Sequence, residues 1–191
     1  MSTKHTVVAL VEDRPGVLNR VASLFRRRGF NIESLAVGPT EEEGLSRMTI
    51  VVDGATTVVE QVEKQLYKLI DVVKVADITH KGVVARELLL LKVRASNGKR
   101  MEVIQIATAL DAKIADVADG TVIVEYAGEE DEVENLIRTM RPYGIVELAR
   151  TGRVAMSRGA SAVRFEGNPE VVAEHSRIGR RPDGRLPFVS D

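Results

Sequence analysis

The sequence predicts an α+β protein built from two βαββαβ units in tandem, and three observations carry that prediction. Apolar runs of strand length alternate with stripes of helical spacing in the same order, twice along the chain. Glycine, proline and Asp-Gly turn signals fall between those runs, where connections belong. Of the 191 residues, 44% are hydrophobic, which suffices for a core in each half.

Residues 5–11 read as the first strand, and the unbroken Val7, Val8, Ala9, Leu10, Val11 predicts burial on both faces. The turn Asp13-Arg14-Pro15-Gly16-Val17-Leu18 joins it to a helix. Pro15 lacks an N–H and has a fixed φ, which suits a first helical position, with Asp13 or Arg14 just outside. Gly16 would leave the unpaired N–H groups of the helix start uncovered, and such a start, at the positive end of the helix dipole, accepts an anion. With Asp13 beside it, the turn could hold the carboxylate and ammonium of an α-amino acid, or it could be an ordinary capped turn. The helix carries Val17, Leu18, Val21, Leu24 and Phe25 on one stripe and stops at Gly29. Arg26, Arg27 and Arg28 complement its negative end and lack the flanking aromatics of a nucleic-acid patch. Strands over Phe30–Val37 and Leu45–Val52 follow, joined by a loop in which Glu41, Glu42 and Glu43 read as solvated hairpin residues; consecutive positions on a tip do not converge on a metal. Val58, Val62, Leu66, Leu69 and Ile70 mark a second helix, and Val72–Ile78 a fourth strand.

The second half repeats the order. Arg86–Val93 reads as a strand, Asn97 and Gly98 open a helix with Val103, Ile104, Ala107 and Leu110, and strands Ala112–Ala118 and Thr121–Ala127 flank the hairpin signal Asp119-Gly120. Glu129, Glu130, Asp131 and Glu132 load the start of a fourth helix, whose stripe is Val133, Leu136, Ile137 and Met140; Ile145–Arg150 closes the unit. Each half thus has the split βαβ, or ferredoxin-like, pattern: an antiparallel sheet with helices on one face. The other face or an edge of such a sheet needs a partner, which predicts a dimer. The expected organisation is a first domain at 1–79, a linker at 80–85, a second domain at 86–156 and a disordered tail at 157–191. The tail holds Pro169, Pro182 and Pro187 and no sustained apolar period, with a marginal helix possible around Pro169–His175.

Composition excludes several classes of function. The 27 basic and 28 acidic residues give a net charge of −1, which favours neither nucleic acid nor an anionic membrane. Aromatic residues make up 4% and tryptophan is absent, so an RNA-stacking sheet of this topology is disfavoured. The absence of cysteine excludes disulfides and a cysteine nucleophile, and fits a reducing, cytoplasmic location; no signal core or membrane span is expected. His5, His80 and His175 lack ligand spacing, and no nucleophile elbow, phosphate loop or dinucleotide fingerprint occurs. A binder that carries no metal or cofactor of its own is expected.

Val11-Glu12-Asp13-Arg14-Pro15-Gly16-Val17-Leu18 resembles the ligand-binding turn of ACT domains. Arg27-Arg28-Gly29-Phe30-Asn31-Ile32-Glu33-Ser34-Leu35, Leu45-Ser46-Arg47-Met48-Thr49-Ile50 and Lys64-Gln65-Leu66-Tyr67-Lys68-Leu69-Ile70-Asp71-Val72 resemble the regulatory small subunits of acetolactate synthase (acetohydroxyacid synthase), as does Ser157-Arg158-Gly159 at the end of the second domain. The resemblance implies an N-terminal ACT domain and a C-terminal ACT-like domain. It implies a non-catalytic chain that binds and activates a large catalytic subunit and confers valine feedback inhibition on branched-chain amino-acid biosynthesis. Thiamine diphosphate, Mg and FAD would belong to that catalytic subunit. A free-standing ACT-type sensor, controlling another enzyme or a transcription regulator, is the alternative.

The resemblance also implies a homodimer through ACT domains, with valine held between copies. Asp13, Arg14, Pro15, Gly16, Val17 and Leu18 would come from one copy, and Asn31 and Ile32 from the start of the other's second strand. Main-chain N–H groups would bind the carboxylate, Asn31 would help hold the ammonium, and Val17, Leu18 and Ile32 would pack against the isopropyl group. Several members of the family have asparagine in place of Asp13 and alanine in place of Gly38. An acidic Asp13 either repels the carboxylate or strengthens the ammonium contact.

Overall fold

The computed structural model describes residues 4–96 and 98–164. In chain order the first elements are β1 (Lys4–Glu12), α1 (Val17–Arg28), β2 (Ile32–Pro39), β3 (Leu45–Asp53), α2 (Thr56–Leu66) and β4 (Val72–Asp77). The second series is β5 (Val83–Arg94), α3 (Arg100–Ala109), β6 (Lys113–Ala118), β7 (Thr121–Gly128), α4 (Glu130–Met140), β8 (Ile145–Arg150) and the short β9 (Val154–Ser157). Each series contains βαββαβ, the second followed by β9, and the class is α+β.

The first sheet has the order β2-β3-β1-β4, with each neighbouring pair antiparallel. Alternation along the strands sends Val7, Ala9, Val11, Met48, Ile50 and Val52 to one face, where Val21, Leu24 and Phe25 of α1 and Val59, Val62 and Leu66 of α2 complete a core. The opposite face, expected to be open, is already covered. Val8, Leu10, Thr49 and Val51 are buried, and the Arg47 side chain projects from β3 to donate from Nη2 to the Ala155 carbonyl at 2.9 Å. Residues 155–164 accordingly belong with the first unit, 1–84. Burial of β1 on both faces matches its unbroken apolar run, although residues 155–164, which the sequence divides between the second domain and the tail, belong with this unit.

Ile70, read as part of the second apolar stripe, is 89% exposed, because α2 ends at Leu66 and the chain turns before reaching it. Leu69 does pack on the core.

The second sheet has the order β6-β7-β5-β8, with β9 also paired to β5. Leu89, Leu91, Val93, Val122 and Val124 form its core with Val103 and Ala107 of α3 and Val133, Leu136 and Met140 of α4. Asp119 and Gly120 make the two-residue turn closed by the Ala118–Thr121 pair, with Gly120 at φ 73°. β5 starts at Val83, so the span read as a linker ends in strand. Asn97 and the proposed Pro169–His175 helix lie outside the described residues, as does most of the expected tail.

Candidate functional site

β1 ends at Glu12, and its exit is tied to the β2–β3 hairpin by the Asp13 N–H, which donates to the Gly44 carbonyl at 2.8 Å. Arg14-Pro15-Gly16-Val17 then forms a type II turn. The Val17 N–H donates to the Arg14 carbonyl at 3.3 Å, and Gly16, the third turn residue, has φ 88° and ψ −9°. Pro15 therefore precedes the helix as the second turn residue, and Gly16 is the N-cap. This differs from the expected helical Pro15, because a fixed proline φ serves the second position of a type II turn as well as a first helical position, and the following glycine favours the turn.

Gly16 offers no capping side chain. The Leu18 and Asn19 N–H groups lie beyond reach of a preceding acceptor in the helix, and neither has a partner among the described residues. Two arginines of this segment are held by buried carboxylates. Arg14 pairs with the buried carboxylate of Glu12. Arg20 grips the buried Asp71 in a fork, Nε to Oδ2 at 2.6 Å and Nη2 to Oδ1 at 2.8 Å. Its remaining Nη1 lies 3.4 Å from the place a Cβ on residue 16 would occupy. The Asp13 side chain is exposed. Leu18 is 47% exposed, but Val17 is only 3% exposed and part of the core, so the turn presents Val17 by its main chain and Leu18 by its side chain.

Asn31 is exposed, and Ile32 is partly buried against the core at the start of β2. Register places this pair far from the turn within one chain. Ile32 pairs with Val52, which pairs with His5 at the beginning of β1; Leu45, at the other end of β3, pairs with Glu12 beside the turn. Seven strand residues separate the two levels, roughly 23 Å at 3.3 Å per residue. One chain does not bring the two groups together.

Sequence reasoning missed Arg20 and Asp71, which are joined by a contact across 51 positions that no local pattern encodes. The helical spacing of Arg20 from Gly16 was the one available signal. Away from the turn, His5 is fully buried, with Nδ1 at 3.4 Å from Asp77 Oδ2 and its ring edge-on to His80 at 5.9 Å. Among the described residues no group of three or more acidic, histidine or cysteine side chains is arranged to hold a metal ion. No helix among them is long and apolar enough to cross a membrane.

Residues 8–74 match the family model described as AHAS small subunit-like ACT domain, and residues 86–159 match the model described as small subunit of acetolactate synthase. The chain is 58% identical over 156 residues to a probable acetolactate synthase small subunit of Archaeoglobus fulgidus, covering 82% of this chain and 98% of that one. It is 49% identical over 164 residues to the acetolactate synthase small subunit of Mycobacterium bovis, covering 85% and 98% respectively. The crystal structure of the acetolactate synthase small subunit from Thermotoga maritima matches with a TM-score of 0.78 at 42% identity, over 83% of this chain and 99% of that one.

Proposed function

The chain belongs to the acetolactate synthase small-subunit family, and from that premise we propose that it activates the catalytic subunit and confers feedback inhibition by valine. It has no catalytic role of its own in this reading. The condensation of 2-oxo acids, with thiamine diphosphate, Mg and FAD, belongs to the catalytic partner. The observation that carries the proposal is the type II turn at Arg14–Val17, which ends in a glycine N-cap and leaves the Leu18 and Asn19 donors open at the head of α1. A carboxylate there meets two N–H groups and the helix dipole.

The ammonium and the isopropyl group need Asn31 and Ile32, and a second copy can supply them. β2 is an edge strand, and its far end, Pro39, pairs with Ser46, which in turn pairs with Val11 just before the turn. Antiparallel pairing of two β2 edges about a two-fold axis would bring the partner's strand start toward the level of this chain's turn. Leu18 and Ile32 then receive the isopropyl group, while Val17 holds the turn from below. Burying that group is worth about 1.5–3 kcal/mol, so discrimination among valine, leucine and isoleucine is modest and set by pocket shape. Regulation needs only a coupling of about 1–3 kcal/mol between this site and the catalytic subunit.

Gly16→Asp puts a carboxylate beside the open donors and the Arg20 Nη1. In calorimetric titration of the purified chain, valine gives saturable heat with the wild type and none with Gly16→Asp. Gly16→Ala shares the positive-φ strain without the charge and should weaken binding less. Equal valine affinity in wild type and Gly16→Asp would remove the turn from the site.

A further inference from the structure

On the helix-free side of the first sheet, the β2–β3 hairpin and residues 156–164 enclose a cleft of about 420 Å³, which includes Leu10, Leu45, Arg47, Met156, Val163 and Glu41 in its lining. Four of those six are apolar, Glu42 and Arg164 complete the charged part of the lining, and Arg47 is a cation with few partners. Of the five N–H donors of the Arg47 guanidinium, the one from Nη2 to the Ala155 carbonyl is satisfied among the described residues, and the Nε is shut off from solvent without an acceptor. Burial pulls the Arg47 pKa below its ordinary value, and the field of Glu41 opposes that pull. A half-buried guanidinium whose Nε is sealed from water without an acceptor is costly unless something anionic completes the group.

We propose that this cleft is a second small-molecule site, distinct from the Gly16 turn, which takes an apolar α-amino acid. Arg47 binds the carboxylate through its unused donors, the exposed Glu41 carboxylate at the rim takes the ammonium, and Leu10, Leu45, Met156 and Val163 enclose the side chain. The lining holds both signs of charge, Glu41 with Glu42 and Arg47 with Arg164, so a ligand that carries a carboxylate and an ammonium finds a counter-charge for each. The Thr40 hydroxyl is already committed, donating toward the Glu42 and Leu45 carbonyls at 3.1 and 3.2 Å, so it stiffens the hairpin instead of binding ligand. The hairpin also holds Gly44, whose carbonyl accepts from the Asp13 N–H, so the cleft and the turn share one loop.

The test uses the full chain bearing Gly16→Asp, which removes the turn site from the measurement. L-leucine is titrated by calorimetry, beside 4-methylpentanoate, which lacks the ammonium, and isopentylamine, which lacks the carboxylate. Saturable binding of L-leucine is expected, with both analogues weaker by about 10-fold or more. Met156→Trp, at an exposed position that carries little folding risk, fills the cleft and should abolish binding. Arg47→Lys keeps the charge but loses the planar fork, and should weaken L-leucine while thermal melting stays near that of the parent. Absence of L-leucine binding overturns the proposal. So does binding that Met156→Trp leaves intact, which would instead show that Gly16→Asp fails to silence the turn.

Discussion

Asp77 shows how a single side chain at the end of β4 links the fold to pH. Burial alone would raise its pKa, but hydrogen bonds from the Thr79 hydroxyl and Thr79 N–H, together with His5, outweigh burial and hold it below the ordinary value. A carboxyl whose pKa is lower folded than unfolded adds stability above its unfolded pKa, about 3.9, and loses it as pH falls through the folded value. Thr79→Val removes the hydroxyl, which also accepts from the Thr6 N–H at 2.9 Å. The variant should lose about 1–2 kcal/mol at neutral pH in urea unfolding. Its deficit should narrow toward about pH 3 as the carboxyl becomes protonated; a constant deficit would mean that the hydroxyl acts only on Thr6. At this scale legibility was uneven. Gly120 could be read as a turn residue from identity alone, since it takes a positive φ that side chains disfavour, whereas Pro15 left Gly16 between a helix start and a type II turn. The Arg20–Asp71 fork and the burial of Glu12 could not, because each depends on which strand ends meet.

Elements were legible wherever a periodic stripe met a terminating residue. The acidic start of α4 forms a reciprocal capping box between Glu129 and Glu132, and β8 runs over the residues its pattern marks. β9 escaped notice because Val154–Ser157 is too short to show a period, and Val83–Ala85 because the adjacent Gly82 reads as a break. Arg150 of β8 is a case in which pairing between elements decides stability. It reaches Glu87 on β5 at 2.6 Å and Glu134 on α4 at 2.6 Å, and Glu87 is 5% exposed. Burial works against the Arg150 charge, but the two glutamates more than compensate and raise its pKa. Arg150→Ala strands the Glu87 carboxylate and should cost about 2–4 kcal/mol. Adding Glu87→Gln should recover part of that loss, which urea midpoints can resolve; no recovery would place the cost in lost packing.

For the whole molecule, the tandem topology was legible because the same order of patterns occurs twice, whereas the covered face of the first sheet was not. A prediction of assembly from an open face therefore moves to the β2 edge. Val37 lies on that strand at 46% exposure, and Val37→Lys should oppose edge pairing. Sedimentation equilibrium is expected to give about twice the chain mass of 20.9 kDa for the wild type and the single-chain mass for the variant. A variant that remains dimeric would place the interface elsewhere.

The separation of the turn from Asn31 and Ile32 along one sheet has a genetic corollary. If each effector site borrows its turn from one copy and its strand start from the other, defects in the two parts complement each other between subunits. A dimer of a Gly16→Asp chain with an Asn31→Ala chain concentrates both lesions in one site and leaves the other whole. Mixing two insensitive variants should thus restore valine response at one of the two sites of every mixed dimer, whereas two variants of the turn, mixed in the same way, should restore none.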